Sequence, residues 1–231
     1  MKRSLILFLM LMLLVPGQAQ EPEGWLIPFG CAFEHDIAGF NAKFAEHNLP
    51  LVNKRLYGWG LELRSLVSKN ILFGPLYFRT KDRVSNDSFQ IYTETWGIMG
   101  EAGFKVPVFN FLNIIPMVGI GAVQPAFQFR QVSGDVQFDT LLRSSGGSVS
   151  ISPGLKPAGL AALELAFTLP TQAGRYGLAV RAGYLYSPFE LNWHLSNGRS
   201  VLGTPNSRIQ GYWGSLGITI IPAPEVRTEE Q

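Results

Sequence analysis

This sequence of 231 residues lacks the cysteine pairs of a disulfide-bonded protein and, after its first residues, the long apolar stretches of a helical membrane protein. It has one cysteine, Cys31, so no disulfide can form within the chain. After residue 19, no stretch has the roughly 18 uninterrupted apolar residues that a membrane-spanning helix requires. The sequence also lacks a glycine-rich phosphate-binding loop and a Cys/His cluster with metal-ligand spacing. These absences exclude a disulfide scaffold and a helical membrane protein, and nothing in the sequence indicates a metal or a cofactor.

The charge of the chain is balanced once its first residues are set aside. The formal net charge is +2, and Lys2 and Arg3 supply that whole excess. These two cations precede an apolar stretch, residues 5–15, and small residues follow it before residue 20. Because this is the pattern of a secretory signal peptide, we expect residues 1–19 to be removed. The neutral remainder predicts no binding to nucleic acid.

Large apolar residues alternate with small or charged residues through much of the remaining sequence. The clearest cases are residues 162–169 and 176–186. Side chains of a strand point alternately to opposite faces, so each segment has one apolar face and one small, partly charged face. The apolar face is either the core of a soluble sheet or the lipid-facing surface of a transmembrane barrel. In the second case, the lipid-facing residues are Trp59, Leu61, Leu63, Leu163, Leu165, Phe167, Leu178, Val180 and Tyr184.

The connections between the predicted strands favour the barrel. Transmembrane barrels place short turns at one end and longer loops at the other, whereas a β-sandwich has no reason to do so. From residue 55 onward, the predicted connections alternate short and long in this order: 68–70, 81–88, 105–112, 131–158, 170–174 and 187–208.

The complete prediction is an all-β protein, an eight-stranded antiparallel transmembrane β-barrel over residues 20–221. A strand at residues 24–33 precedes the one that starts near residue 55 and makes the number even. One short helix, within residues 34–48, follows this first strand. Residues 222–231 are polar, and we expect them to form a disordered tail.

Six charged residues fall on the faces opposite to the apolar ones, three of each sign. Buried charges are tolerated only when they are paired and hydrogen-bonded, so we expect an ion-pair network in the lumen. The network could fill the lumen as a plug or line a polar path for small ions, and the sequence does not distinguish the two. The predicted lumen residues are Glu62, Arg64, Arg79, Glu94, Glu164 and Arg181.

Candidates for catalysis are few. His194 and Ser196 lie in a predicted loop and could form a Ser–His pair at the rim of the barrel. Such a pair needs a third group that orients the base, and the sequence has no G-x-S-x-G elbow. His35 and His47 have no regular metal-ligand spacing. We therefore predict no catalytic residue, no metal and no cofactor, and a rim hydrolase or deacylase is the one enzymatic alternative.

The leader, the alternation, the glycines within strands and the sorted connections together resemble the small outer-membrane β-barrel proteins of Gram-negative bacteria. In the last predicted strand, Ser215, Gly217 and Ile220 match the polar, glycine and apolar positions of that family's assembly signal. Pro222 stands where a final aromatic residue is usual. The resemblance implies a location in the bacterial outer membrane, with outer-membrane lipid and the barrel-assembly machinery as partners.

Several roles are compatible with that architecture. The first is a non-enzymatic structural or surface-interaction role, with a narrow or closed lumen and an unknown extracellular partner bound through loops 131–158 and 187–208. The second is a porin-like channel or a carrier of small hydrophobic molecules. The third is a soluble secreted β-barrel that binds a small ligand inside.

Overall fold

The computed structural model describes residues 24–131 and 148–222. It contains one helix and eleven strands in these ranges. The elements are β1 (Gly24–Glu34), α1 (Ala38–Glu46), β2 (Arg55–Ser68), β3 (Ile71–Ser85), β4 (Phe89–Phe104), β5 (Val106–Phe109), β6 (Leu112–Gln131), β7 (Ser148–Ser152), β8 (Lys156–Thr171), β9 (Gly174–Glu190), β10 (His194–Leu195) and β11 (Arg208–Pro222). The predicted leader, most of the predicted loop 131–158 and residues 223–231 of the predicted tail lie outside the described residues. Pro222, the first residue of that tail, belongs to β11 and pairs with Gly174.

Eight of the strands form a closed antiparallel ring in the order β1, β2, β3, β4, β6, β8, β9 and β11. The ring is closed by pairing of the first strand with the last, from Leu26 opposite Ile220 to Phe33 opposite Trp213. Closure pairs each of these eight strands on both sides, so none of them is the edge strand of an open sheet. The predicted eight-stranded antiparallel barrel, with one short helix after its first strand, is confirmed.

The three remaining strands extend the ring at its ends. β5 pairs with the start of β6, β7 pairs with the end of β6, and β10 pairs with β7. Connections 69–70, 105–111 and 172–173 lie at one end of the barrel, which we call the turn end. Connections 35–54, 86–88 and 191–207 lie at the other end, together with residues 148–155, and we call this end the loop end.

The prediction of a long loop at residues 81–88 is wrong. β3 continues to Ser85 and β4 begins at Phe89, and the two pair throughout, including Lys81 with Glu94. The turn itself is three residues long, and the Asn86 side chain accepts hydrogen bonds from two of the backbone N–H groups that follow it. Lys81, Arg83 and Ser85 continue the strand on the exposed outer face, while Ile91 and Thr93 of the paired strand are buried on the inner face.

Helix α1 packs across the loop end of the barrel. Its two buried side chains, Phe40 and Phe44, contact Phe127 of β6, with the Phe40 ring 5.0 Å from that ring between centroids. The Trp193 ring packs against the same cluster, 5.1 Å from the Phe40 ring between centroids. The Asn41 amide holds the segment after the helix through two 2.9 Å hydrogen bonds with the Val52 backbone. The helix therefore forms a fixed cover rather than a loose loop segment.

In the described part of the chain, no helix combines the length and apolar character needed to cross a membrane.

The side chains that point into the barrel are arranged in three layers. An apolar cluster lies toward the loop end and includes Phe29, Phe33 and Phe78. A smaller apolar cluster lies toward the turn end and includes Trp25 and Ile115. Buried charged side chains occupy the level between the two clusters. The interior is thus apolar toward the loop end and toward the turn end, and charged between these two regions.

Candidate functional site

Five charged side chains form one buried layer across the lumen. No member is more than 3% exposed. Going around the ring in either direction, β8 is the fourth strand from β2, so a contact between these two strands spans the full width of the lumen. The members of this layer, which we call the charged layer, are Glu62 and Arg64 of β2, Glu101 of β4, Glu164 of β8 and Arg181 of β9.

Arg64 makes the contact across the lumen. Its Nη1 donates to Glu164 Oε1 at 2.7 Å, and its Nη2 donates to Glu164 Oε2 at 2.6 Å. This is the two-point geometry that makes arginine–carboxylate pairs strong and directional. The same guanidinium also bonds Glu62, two residues away on its own strand, through Nε and Nη2. One side chain therefore ties opposite walls of the barrel together.

Arg181 connects the three carboxylates. It donates from Nε to Glu164 at 3.0 Å, from Nη1 to Glu101 at 3.0 Å and from Nη2 to Glu62. Its guanidinium also lies over the Trp213 ring, 5.4 Å from the centroid. The layer contains three carboxylates and two guanidiniums, so it has one more acidic group than basic groups.

Four of the six predicted lumen residues come together in this layer. These are Glu62, Arg64, Glu164 and Arg181, and their side chains are hydrogen-bonded to one another.

The other two predicted lumen residues, Arg79 and Glu94, lie on the outer surface instead. They pair there with one another, with Arg79 Nε 2.6 Å from Glu94 Oε1. Their side chains are 37% and 32% exposed. The inner face of β3 is formed by large apolar residues such as Leu76 and Phe78, and because Tyr77 on the opposite face is also large, the alternation in β3 does not identify the inner face.

Glu101 was missed by sequence reasoning, although a signal for it exists. Trp96 and Ile98 of β4 point outward, and Glu94 has the same parity as these residues. Glu101 has the opposite parity, that of the buried Met99. In this strand, the parity of the large apolar residues would have assigned the inner position to Glu101 rather than to Glu94.

The outer surface of the barrel is apolar over a broad band. The nine residues predicted to face lipid all lie on the outer face, and their exposed fractions run from 37% for Leu165 to 56% for Trp59. Other large apolar side chains share this face, such as Ile120 and Leu216. So many exposed large apolar side chains on one face are unusual for a monomeric soluble protein, because such proteins rarely expose large apolar patches.

His194 and Ser196 do not form the pair that a rim hydrolase would need. The nearest hydroxyl partner of His194 is Ser200, whose Oγ lies 3.4 Å from Nδ1. Among residues 24–131 and 148–222, no group of three His, Cys, Asp or Glu side chains is placed to hold a metal ion.

His35 has a distinctive environment at the loop end. Its Nε2 lies 3.1 Å from the Thr95 hydroxyl, and its ring packs against Phe33 at 4.4 Å between centroids. Burial lowers the pKa of His35 to about 3, because the charged imidazolium would lose its hydration there. His35 is therefore neutral in the folded protein at physiological pH.

Comparison with known proteins yields similar structures but no sequence relative. No family model matches the chain, and no curated protein matches it. The solved structures similar to it include Ail, the attachment invasion locus protein of Yersinia pestis, crystallised with the heparin analogue sucrose octasulfate. It is 12% identical, with 87% of this chain and 100% of that one covered and a TM-score of 0.49.

Two further similar structures are outer-membrane proteins by name. A major outer membrane protein of Thermus thermophilus is 9% identical, with coverages of 84% and 98% and a TM-score of 0.49. The outer membrane protein OprG of Pseudomonas aeruginosa is 10% identical, with coverages of 88% and 98% and a TM-score of 0.44. The closure of the present barrel is established by its own strand pairings.

Proposed function

We propose that this chain is an integral outer-membrane β-barrel with a closed lumen and a non-enzymatic structural or surface-interaction role, exported through a cleaved leader at residues 1–19. One observation carries the proposal: large apolar side chains are exposed around the outside of the barrel, whereas five charged side chains are buried inside it, between two apolar clusters. A soluble barrel that binds a ligand in its interior would present mainly polar side chains on its outer face. In a bilayer, an outward apolar band is the stable arrangement, with outer-membrane lipid as its immediate partner.

The charged layer supports a closed lumen rather than a channel. Arg64 and Glu164 join opposite walls through two hydrogen bonds, and Arg181 bonds the carboxylates beside them. An ion path would have to break these contacts, and removing one partner of a buried pair costs about 3–5 kcal/mol. An eight-stranded barrel is also just wide enough for side chains to fill its interior. The ion-pair network is therefore best understood as a plug.

The loop end supports a role in surface interaction. Helix α1 covers this end, and β7 and β10 extend the sheet beyond the ring through the pairing of Ile151 with Leu195. Long segments held on a rigid barrel are the usual place for binding residues. In the proposed orientation, the loop end faces the cell exterior and the short turns face the periplasm.

A carrier of small hydrophobic molecules is a second candidate, favoured by a gap in the wall. The pairing of β8 with β9 ends at Gly159 and Tyr186, although β8 begins three residues earlier and β9 continues to Glu190. A hollow of about 550 Å³ beside this gap is lined by apolar residues that include Pro157 and Phe189. Apolar hollows of this size can bind small ligands.

Fractionation of the full chain, expressed with its leader in a Gram-negative host, tests the membrane proposal. We expect the protein in the outer-membrane fraction, released by detergent and not by buffer or alkali. On a gel, the unboiled sample should migrate differently from the boiled one, because a closed barrel stays folded in detergent. Release into detergent-free buffer would contradict the proposal.

A pair of variants makes this test specific to the outer band. Leu165 lies between Ile114 and Val180 on the outer face, so Leu165→Arg should reduce folding into vesicles. An arginine facing lipid costs about 2–4 kcal/mol near the bilayer midplane and less toward the interfaces. The control is Leu202→Arg in segment 191–207, where Leu202 is 90% exposed. If both variants fold equally well, the apolar band does not face lipid.

Planar-bilayer recording on the wild-type protein should show no single-channel steps, and regular steps would favour the channel.

A further inference from the structure

One side of the outer surface changes from apolar to aromatic to basic toward the loop end. The strands β2, β3, β4 and β6 are neighbours there, and their outward residues lie side by side in rows set by the strand pairings. Successive rows toward the loop end are Leu61, Tyr77, Ile98 and Ala122; then Trp59, Arg79, Trp96 and Gln124; then Tyr57, Lys81, Glu94 and Ala126; then Arg83, Tyr92 and Gln128. Tryptophan and tyrosine prefer the headgroup level of a bilayer. The basic residues therefore lie at or just beyond that level.

The outward charges of these four strands are predominantly basic. The cations form a group that we call the basic wall: Arg55, Arg79, Lys81, Arg83 and Arg130. Glu94 is the outward carboxylate of these strands and bonds Arg79. Arg55 is also paired, at 3.4 Å from Glu34 at the end of the neighbouring β1. Lys81 and Arg130 are exposed and form no ion pair within the described ranges. Arg83 is exposed, and its guanidinium lies over the Tyr92 ring, 5.3 Å from the centroid. The wall thus has unneutralised positive charge facing the surroundings.

The opposite side of the barrel does not share this charge. Near the loop end, β9 and β11 present the tyrosines Tyr184, Tyr186 and Tyr212. Among the described residues of these two strands, the cation near the loop end is Arg208, which is paired with Glu190 at 3.5 Å. A general need for positive charge at the membrane boundary would place cations around the whole circumference. The concentration on four strands instead indicates a localised anionic ligand.

The geometry of the wall points to its occupant. We propose that the basic wall binds the phosphate groups of an anionic lipid headgroup in the leaflet at the loop end, and this inference rests on the proposed membrane location. Guanidinium groups suit phosphate because they donate two parallel hydrogen bonds, and the lysine adds a point charge. The apolar rows directly below the wall provide the surface along which the acyl chains of the same lipid would pack.

Native mass spectrometry of the full-length protein in detergent tests this proposal with two probes. One is bisphosphorylated lipid A, and the other is the same lipid with both phosphates removed. We expect the phosphorylated form to bind with at least tenfold higher affinity. This comparison uses the wild-type protein and does not depend on the folding of any variant.

Matched charge variants then locate the site. Lys81→Gln combined with Arg83→Gln should weaken binding of the phosphorylated lipid about twentyfold, since each cation near a lipid surface contributes about fivefold. Arg208→Gln removes the same kind of charge from the opposite side and should leave binding unchanged. All proteins are first checked for the gel shift of the folded barrel.

The outcomes separate this proposal from the proposed function. If the wild-type protein does not enter the membrane fraction, the proposed function fails and this inference fails with it. If it does enter, equal affinity for the two lipids overturns the lipid site alone. The same conclusion follows if the double variant binds like the wild type, or if Arg208→Gln weakens binding as much as the double variant does.

Discussion

Replacing Arg181 with methionine should destabilise the barrel strongly. Arg181 is buried and donates hydrogen bonds to Glu62, Glu101 and Glu164. Its removal leaves three carboxylates facing the single guanidinium of Arg64. Methionine retains much of the aliphatic volume, so the loss is mainly electrostatic. Removing one partner of a buried ion pair costs about 3–5 kcal/mol, and we expect a loss of that size in the free energy of unfolding.

Neutralising Glu101 is the matched comparison, because it changes the same layer in the opposite electrostatic sense. The layer contains three carboxylates and two guanidiniums, so Glu101→Gln removes the excess negative group. The amide oxygen of glutamine can still accept the hydrogen bond from Arg181 Nη1. We therefore expect Glu101→Gln to lie within about 1 kcal/mol of the wild type, the worth of one ordinary hydrogen bond.

Urea unfolding in phospholipid vesicles measures both free energies. Far-UV circular dichroism is the suitable signal, because Arg181 lies over the Trp213 ring and its loss would itself alter tryptophan fluorescence. The gel shift of the unboiled barrel gives an independent measure of the folded fraction. The reasoning is refuted if Arg181→Met loses less than about 1 kcal/mol, or if Glu101→Gln loses as much as Arg181→Met.

Two further predictions concern His35 at the loop end and the pairing of β1 with β11 that closes the barrel. Lowering the pH from about 6.5 to 5 should destabilise the protein by up to about 1.4 kcal/mol per pH unit. The pKa of His35 is about 3 in the folded protein, so in this pH range the unfolded chain binds a proton at His35 that the folded protein does not bind. In urea titrations at several pH values, His35→Gln should lose this dependence and the exposed control His47→Gln should keep it; an unchanged slope in His35→Gln would contradict the assignment. Gly211→Ala should cost about 1–3 kcal/mol, because a Cβ there would lie 1.6 Å from the Glu34 carbonyl oxygen across the β1–β11 seam. Gly214→Ala in the same strand meets nothing closer than 3.6 Å and should be tolerated, so equal losses in the two variants would rule out close approach as the cause.

The closed barrel could be predicted from the sequence because several strands keep one consistently apolar face. In β8 and β9, residues such as Leu163 and Leu178 all point outward, and a single assignment of faces holds along each strand. β3 lacks this consistency, because Phe78 points inward while Tyr77 and Arg79 point outward. Charge was then an unreliable guide to the lumen, since the interior near the loop end is apolar.

The charged layer could be predicted only in part, because its contacts join strands that are far apart in sequence. Arg64 and Glu164 are 100 residues apart and meet only once the ring has closed. The parity of each strand indicates which residues point inward, whereas the stagger between strands decides which of them share a level. That stagger follows from the register of every strand pairing around the ring, and these registers could not be predicted from the sequence alone.

The charged layer lies between two apolar clusters inside the barrel. Trp25 and Ile115 cover the layer toward the turn end, and Phe29 and Phe78 cover it toward the loop end. Water and salt are therefore kept away from Arg64 and its partners on both sides, so their attraction is screened far less than that of a surface pair. A conducting state would require displacement of both apolar clusters as well as rupture of the ion pairs. The ion pairs and the two apolar clusters together support the closed lumen proposed above.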